Sequence, residues 1–559
     1  MNSAHDKKVY EALKSLNVIP EEKLKMAFTA SESSEISFYD ALVDKDLITD
    51  DNYGTIAADI YGVPYADLSR IVISQETLRI IPEVVARKKK VIAYYQDDKG
   101  IRVAMLNPDN KELIDFISKK VGEPVIPHYS TKGRIEDALT HYNKDLESSF
   151  EDLMKQEIQT ADKASDSSAP VSKIVDMLIK YAYQNKASDI HIEPEEEISV
   201  VRFRVDGVLH DVLNYPKRLH EQIVSRIKIM SGLRTDEHMS AQDGRTQVNI
   251  ELEELDIRVS IVPIVDGEKC VLRLLSSKSR RFSLHDLGVG ETELEKIKKG
   301  YESPHGMVLS TGPTGSGKTT SIYAILKILN SRQVNIATIE DPVEYDIAGI
   351  NQIQVNNATN LTFAHGLKAI LRQDPDIIFV GEIRDEETAD IAVNSAMTGH
   401  LVLSTLHTND AATTLPRLMD MGIEPYLVAS TVNVIIAQRL VRRVCDLCKT
   451  SYTVPKTDLS KLFSSEEVEK YFGKTENITM YKGRGCELCH GSGYIGRIGI
   501  FEVLPITPAI RDLIAEKSTA SKIQNKAREE GMRTMYEDGL EKVSKGLTTL
   551  DELFRVTKE

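Results

Sequence analysis

Residues 312–320 read GPTGSGKTT, and the short apolar run Met307-Val308-Leu309 comes just before them. The stretch fits the phosphate-loop pattern G-x-x-x-x-G-K-[ST] through Gly312, Gly317, Lys318 and Thr319, with Pro313, Thr314, Gly315 and Ser316 between the glycines and Thr320 behind. A helix is predicted over 322–329. Strand, loop and helix in that order are what polyphosphate binding requires. Glycines let backbone N–H groups turn inward around the phosphates, Lys318 reaches the β- and γ-phosphates, and the Thr319 hydroxyl is placed to coordinate Mg²⁺. An α/β fold around a nucleotide-binding sheet is the expectation, because a Gly-rich turn that binds nothing has no need of that context.

Toward the C-terminus, Asn335-Ile336-Ala337-Thr338-Ile339 is a second apolar strand, ending in Glu340-Asp341-Pro342-Val343-Glu344. Ile377-Ile378-Phe379-Val380 is a third, ending in Gly381-Glu382-Ile383-Arg384-Asp385, and Leu401-Val402-Leu403-Ser404-Thr405 is a fourth, flanked by His400 and His407. Upstream, residues 284–300 are predicted helical, and Pro304-His305-Gly306 turns the chain into the first strand. Short apolar strands separated by helices indicate a mainly parallel sheet with crossover helices, whose ligands bind at the carboxyl ends of the strands. The third strand departs from the usual pattern, because Gly381 stands where an Asp ordinarily touches the Mg²⁺ shell. Metal support then falls to Thr319 and to Glu340, Asp341 and Glu344, and Glu382 is the natural group to polarise the attacking water. The plainer reading makes Glu382 a capping or ion-paired carboxylate. His400 and His407 either couple phosphate state to movement or are satisfied structural residues.

Toward the N-terminus lie two further α+β regions. Residues 171–276 open with apolar residues at helical spacing over 171–183, and Ala187-Ser188-Asp189-Ile190 leads into a strand. In residues 200–206 the alternation sends Arg202, Arg204 and Asp206 to one face and Val201, Phe203 and Val205 to the other. Gln242-Asp243-Gly244-Arg245 reads as a tight turn, and Asp256-Ile257-Arg258-Val259-Ser260 repeats the outward-Arg alternation. These four arginines are either solvated surface or, beside a nucleotide-binding domain, cations that neutralise a transferring phosphoryl group. Residues 1–143 read as a small docking or regulatory α+β domain, with helices over 9–16 and 20–28, a similar unit over 38–60, and a hairpin about Asp97-Asp98-Lys99-Gly100. Residues 144–170 are polar, acidic and Ser-rich, which predicts a flexible linker. A connector over 276–281 precedes the third unit, residues 283–559.

Four of the five cysteines fall in two C-x-x-C pairs, Cys445 with Cys448 and Cys486 with Cys489. Two such pairs can close a tetrahedral thiolate site, and the long segment between them adds little loop-closure entropy. A structural Zn²⁺ in a module over 440–497 is the expectation. His490 completes C-x-x-C-H, but haem attachment to that pattern takes place outside the cytoplasm, and a redox pair would want a thioredoxin-like context. Cys270 reads as a small buried apolar residue.

At 559 residues the chain is too long for one core and points to three or four domains. No stretch offers 18 consecutive apolar residues, and MNSAHDKKVYEALKS lacks the apolar core of a signal peptide, so a cytoplasmic location is expected. With 70 Lys plus Arg against 85 Asp plus Glu, the net charge of −15 argues against a nucleic-acid translocase, and no nucleic-acid partner is expected.

Beside the loop, the chain carries SDIHIEP (188–194), TIEDPVE (338–344), LRQDPDIIFVGEIRD (371–385), TGHLVLSTLHTND (398–410), IAQRLVRRVC (436–445) and EGMRTM (530–535). With this set it resembles the secretion ATPase superfamily of type II secretion and type IV pilus systems, more narrowly the assembly ATPases of the PilB and GspE type. The resemblance runs from residue 188 to the C-terminus, and more loosely over 1–143. It implies a RecA-like ATPase domain after a PAS-like α+β domain, an N-terminal α+β domain and a small tetracysteine zinc module. It also implies a homohexamer that binds ATP between the arginine-bearing and RecA-like domains. Their rearrangement would be passed to an inner-membrane platform protein, with peripheral attachment to the inner face of the membrane through such partners. In the family's terms Glu382 is the catalytic glutamate, Glu340, Asp341 and Glu344 form the Asp box, and His400 and His407 the His box. Arg204, Arg245 and Arg258 are the charge-sensing arginines. Some N-terminal domains of the family resemble cyclic di-GMP receptors with repeated R-L-G motifs. The corresponding unit here reads Ser37-Phe38-Tyr39-Asp40-Ala41-Leu42, without that tripeptide, which argues against dinucleotide binding. Three readings stay open: a motor for pilus or pseudopilus assembly, a DNA-directed ATPase, and a nucleotide-binding switch suggested by Gly381.

Overall fold

The computed structural model describes residues 4–33, 37–43, 45, 47–71, 73–139, 142, 156, 168–250, 253–275, 283–356, 359–486, 489 and 491–557. The chain divides into two compact units, one of residues 2–20 and 50–280, the other of residues 21–49 and 281–559. The first helices are Ala4–Leu16, Glu21–Ser33, Phe38–Val43 and Asp50–Tyr61.

Two sheets form in the unit containing residues 50–280. A three-stranded sheet joins β1 (Val91–Asp97), β2 (Gly100–Met105) and β3 (Val125–Tyr129). The predicted hairpin is there, with Asp97 opposite Gly100. Gly100 is required at its place, since its φ is 126° and a Cβ would meet Pro124 O at 2.2 Å. A six-stranded antiparallel sheet holds β4 (Asp189–Pro194), β5 (Ile198–Val205), β6 (Val208–Pro216), β7 (Gln242–Ile250), β8 (Glu253–Ile264) and β9 (Gly267–Leu275) in the order β6-β5-β4-β9-β8-β7. Helices Ser168–Gln184 and His220–Met230 supply Ile174, Leu178, Ala182, Ile223 and Ile227 to one core with Ile190, Val201, Phe203, Ile257 and Val259. Strand alternation therefore leaves Arg202, Arg204 and Arg258 on the opposite face. The turn expected at Gln242-Asp243-Gly244-Arg245 is instead the start of β7, where Gly244 pairs with Val259. A Cβ on Gly244 would come within 2.7 Å of Ser231 O, so the glycine serves close backbone approach and not reversal. Of the segment read as a linker, 168–170 begin the helix Ser168–Gln184; apart from residue 156, the remainder lies outside the described residues, as does the connector 276–281.

The other unit is organised by β10 (Gly306–Thr311), β11 (Ile336–Glu340), β12 (Asn351–Gln354), β13 (Ile377–Val380), β14 (Leu401–Leu406), β15 (Val432–Val444) and, beyond the hairpin of β16 (Lys449–Pro455) and β17 (Asn477–Gly483), by β18 (Tyr494–Pro505). The sheet order is β12-β11-β13-β14-β10-β15-β18, parallel throughout except for the antiparallel pair β15 and β18. The apolar runs are buried on both faces, as parallel strands require. Met307 and Leu309 enter one core with Ile378, Val380 and Val402, while Val308 enters the other with Phe379, Leu401 and Leu403. The helix expected over 284–300 is shorter, Glu291–Tyr301. Gly288 at φ 94° and extended Gly290 break the residues before it, which turn onto β18 with Gly499 N donating to Leu287 O at 2.9 Å. EGMRTM forms the turn between helices Ala520–Glu529 and Met535–Ser544, where Arg533 pairs with Glu293 and Glu541 and Thr534 caps the second helix with Glu537.

Candidate functional site

The phosphate loop leaves β10 at the carboxyl edge of the sheet, and its helix begins at Lys318, earlier than predicted. Gly312, Gly315 and Gly317 have φ of 145°, 79° and 88°, which turns successive N–H groups to one side. Lys318 is buried and curls over its own loop, with Nζ donating to Gly312 O at 2.7 Å and Pro313 O at 3.1 Å. Burial lowers its pKa below the usual amine value, while the Glu382 carboxylate pulls the other way. A cation satisfied by two loop carbonyls inside a ring of N–H groups is a site that an anion can enter by displacing those carbonyls. Thr319 sits on the first helical turn.

Glu382 follows β13 at the same edge. Ile383 N donates to Thr405 O at 3.0 Å and Thr405 Oγ1 to Gly381 O at 2.7 Å, which ties the ends of β13 and β14 together. The Glu382 side chain is 11% exposed, with Oε1 2.5 Å from Arg384 Nη2 and Oε2 3.2 Å from His407 Nε2. Gly381 sits close against the neighbouring strand: a Cβ there would lie 3.2 Å from Glu340 Cα and 3.3 Å from Ile339 O, so a larger residue would need that backbone to give by a few tenths of an ångström. His400 belongs to the other edge. It precedes β14, its Nδ1 lies 2.9 Å from Ser395 O, and its carbonyl accepts from Gly306 N, so six residues of strand, roughly 20 Å, separate it from His407.

Glu340 ends β11 and is 2% exposed. Its Oε1 accepts from Thr338 Oγ1 at 2.6 Å and Gln352 Nε2 at 3.2 Å, and its Oε2 accepts from the Tyr323 hydroxyl. Burial pushes the Glu340 carboxyl up despite these donors, and pushes the Tyr323 phenol up as well. Tyr323 lies one turn after Thr319 on the same face of the phosphate-loop helix. Glu344 N donates to the Tyr323 oxygen at 3.3 Å, whereas Asp341 is exposed. In the other unit, Arg204 places Nε 3.7 Å from Asp189 Oδ2 and donates Nη1 to Gly207 O at 3.0 Å; Arg245 is exposed and Arg258 half-buried.

The four cysteines meet where β15 ends, β16 begins, β17 ends and β18 is about to begin. In-register pairing of Lys449 with Gly483 makes their distance in sequence irrelevant. Their Sγ atoms all lie within 4.8 Å of one another, with Cys445 to Cys486 and Cys448 to Cys489 at 3.8 Å and Cys486 to Cys489 at 3.6 Å. A tetrahedron with Zn–S bonds of about 2.3 Å has edges of about 3.8 Å, so the donor set fits Zn²⁺, and it is far too open for disulfides. Cys270 is fully buried in β9, which pushes its thiol pKa up.

Three participants escape sequence reasoning. Tyr323 looks like one more core residue of an apolar helix, Gln438 like a chance polar residue in IAQRLVRRVC, and Arg384 like a surface charge in GEIRD. Only the last carried a signal, its place two residues after Glu382.

Residues 164–555 match the family model for type II/IV secretion system proteins, and residues 61–149 match the MshEN domain. The chain is 38% identical over 551 residues to the type IV pilus assembly ATPase PilB of Myxococcus xanthus, spanning 96% of each chain. It is 46% identical over 395 residues to the type II secretion system ATPase E of Vibrio cholerae, spanning 71% of this chain and 77% of the other. Among solved structures, the Legionella pneumophila ATPase DotB shares the fold, with a TM-score of 0.51 at 20% identity, over 68% of this chain and 94% of that one. Among the described residues no helix is long and apolar enough to cross a membrane.

Proposed function

This chain belongs to the type II/IV secretion system protein family, and from that membership we propose that it is the ATP-driven motor that extends a type IV pilus. It is an ATPase of that family. The carrying observation is the meeting, at one edge of a parallel sheet, of the Lys318 cradle with the Glu382–His407 pair, in a chain related over 96% of its length to a pilus assembly ATPase.

The triphosphate takes the place of the Gly312 and Pro313 carbonyls on Lys318 Nζ, and the loop N–H groups receive the β-phosphate. Thr319 Oγ1 would be a ligand for Mg²⁺, which would supply positive charge to offset that of the phosphates. Glu382 accepts the proton of the attacking water, oriented by His407, and Glu340 and Tyr323 brace the helix behind Thr319. Arg204, Arg245 and Arg258 are the proposed cations for charge building on the γ-phosphate. Cys445, Cys448, Cys486 and Cys489 would hold a structural Zn²⁺. The working form is a homohexamer at the cytoplasmic face of the membrane, attached through a platform protein embedded there. The 46% identity to a type II secretion ATPase favours a second reading, the same motor driving a secretion pseudopilus.

ATP turnover measured against protein concentration, with particle size at each point and Lys318→Ala as control, tests the motor. Turnover that rises as hexamers form and is absent in the variant supports it. Turnover that stays flat in a monomer moves the reading to a nucleotide switch. Restoration of pili, or of secretion, in cells lacking their own motor separates the two fibre types.

A further inference from the structure

Gln438 lies in β15 beneath the phosphate loop and is 1% exposed. Strand β15 runs parallel to β10 with Ala437 beside Thr311, so Gln438 comes level with Gly312 as β10 turns into the loop. Its Nε2 donates to Ser316 O at 2.8 Å. Its backbone carbonyl is so near Gly312 that a Cβ there would approach it to 2.4 Å, and a Cβ on Gly317 would stand 3.1 Å from Nε2. One buried residue thus touches the loop at its first glycine, at Ser316 and at its last glycine.

A phosphate cradle needs its N–H groups converging and its carbonyls pointing away. Ser316 is the residue whose carbonyl must be held back while the N–H groups of Gly317 and Lys318 open the helix toward the anion. The Gln438 amide supplies that restraint. Its other half does not: Oε1 is buried and has no hydrogen-bond partner among the described residues, and the same holds for Ser316 Oγ. The flanking residues Ile435, Ile436, Ala437 and Val441 all belong to the apolar cores. An apolar side chain of similar volume would fill this place without stranding a buried acceptor, which costs free energy. The position keeps an amide because the donor has a task.

We propose that Gln438 is a positioning residue for nucleotide binding, whose Nε2–H fixes the Ser316 carbonyl outward and so presets the N–H cradle for the β-phosphate. It touches neither nucleotide nor metal and acts through the loop backbone. The proposal rests on reading residues 312–320 as the nucleotide site.

Two variants separate this role from simple packing. Gln438→Met keeps the volume and removes the donor; Gln438→Leu removes the donor with a second apolar shape. The full chain and both variants are titrated with a fluorescent ADP analogue in Mg²⁺, and thermal midpoints are taken without nucleotide. A wild-type chain that binds no ADP ends the nucleotide reading itself, before any variant is judged. With wild type binding, Gln438→Met is expected to weaken ADP at least tenfold and to raise KM for ATP in step, at an unchanged unliganded midpoint. ADP binding within twofold of wild type overturns the proposal. So does a loss of affinity that merely follows a lowered midpoint, or failure of both variants to fold, since either assigns Gln438 to the core alone. Should only the methionine variant fail to fold, the leucine variant is judged by the same two measurements.

Discussion

His407 Nε2 lies 3.2 Å from Glu382 Oε2, across the carboxyl ends of two neighbouring strands, while Arg384 holds the other carboxylate oxygen. The pair places a carboxylate with a defined orientation beside the Lys318 cradle, and that arrangement suits a group that accepts a proton from water. Glu382→Gln is isosteric and keeps the hydrogen-bonding shape. It should lower kcat by roughly 10²- to 10⁴-fold, the range for loss of general-base assistance, with ADP affinity and thermal midpoint preserved. Turnover within a few-fold of wild type would return Glu382 to the rank of an ion-paired carboxylate.

The two histidines should part company on mutation. His407→Ala removes a partner of Glu382 and is expected to reduce kcat about tenfold or more, in proportion to the lost orientation. His400→Ala, at the opposite edge of β14, removes a contact with Ser395 O and should lower stability by about 1 kcal/mol while leaving kcat near wild type. Steady-state kinetics and urea denaturation on both variants decide it, and equal effects on kcat would contradict the spatial separation.

Tyr323 and Glu340 form a buried pair whose energetics can be isolated. Tyr323→Phe leaves Glu340 Oε2 without the hydroxyl that now donates to it, and a buried acceptor so deprived costs roughly 1–3 kcal/mol. In a Glu340→Gln background the same change should cost less, because the amide places a smaller demand on that donor. The coupling free energy from the double-mutant cycle should therefore be at least about 0.5 kcal/mol. Additive effects would mean that the two side chains do not share a bond.

Legibility followed physical cause. The strands β10, β11, β13 and β14 could be read because a doubly covered parallel strand must be apolar at nearly every position. The polar edge strand β12, NQIQ, shows no such signature. β15 carries VIIA before QRLVRRV and was visible only as a family motif, since in its second half only Gln438, Val441 and Val444 are buried, with arginines between them, which is not the alternation of a strand. Gly244 and Gly381 mislead in the same way: both look like punctuation or replacement, and both answer to a backbone on another strand. The cysteine pairs could be assigned from spacing because a thiolate tetrahedron tolerates any loop between its knuckles. Tyr323 and Gln438 could not, because a hydroxyl or an amide inside an apolar pattern says nothing of which distant atom it meets.

The zinc assignment predicts one Zn²⁺ per chain. Cys445→Ser should abolish metal retention, and if the site contributes about 3 kcal/mol the midpoint of the unit should fall by roughly 5–10 °C. Cys270→Ser changes a thiol in a different sheet and should leave the metal content untouched. Metal analysis after gel filtration reads both, and a wild-type chain free of zinc, yet fully folded, would remove the thiolate centre.

Glu502 makes stability depend on pH in a definite direction. It is buried on β18, where its Oε1 accepts from Ala411 N at 2.9 Å and so ties the loop after His407 to the C-terminal part of the sheet. Burial, reinforced by the Asp410 carboxylate, pushes its pKa up to about 7, against the donors Ala411 N–H and Met535 N–H. An unfolded glutamate loses its proton near pH 4.5, so between about pH 4.5 and 7 the native state holds a proton that the unfolded chain has released. Stability from this group is therefore fully present below that window and declines as pH rises through it, by up to about 3 kcal/mol. Glu502→Gln keeps an oxygen to accept from Ala411 and cannot ionise. The variant should gain on wild type as pH rises, being roughly 2–3 kcal/mol more stable at pH 8 than at pH 4.5 relative to the parent. Taking the difference at each pH cancels the titrating groups that do not interact with Glu502. Urea denaturation of both proteins across that range makes the comparison. Parallel stability curves would show that Glu502 titrates in the native chain as it does in the unfolded one, and the burial argument for it would fall.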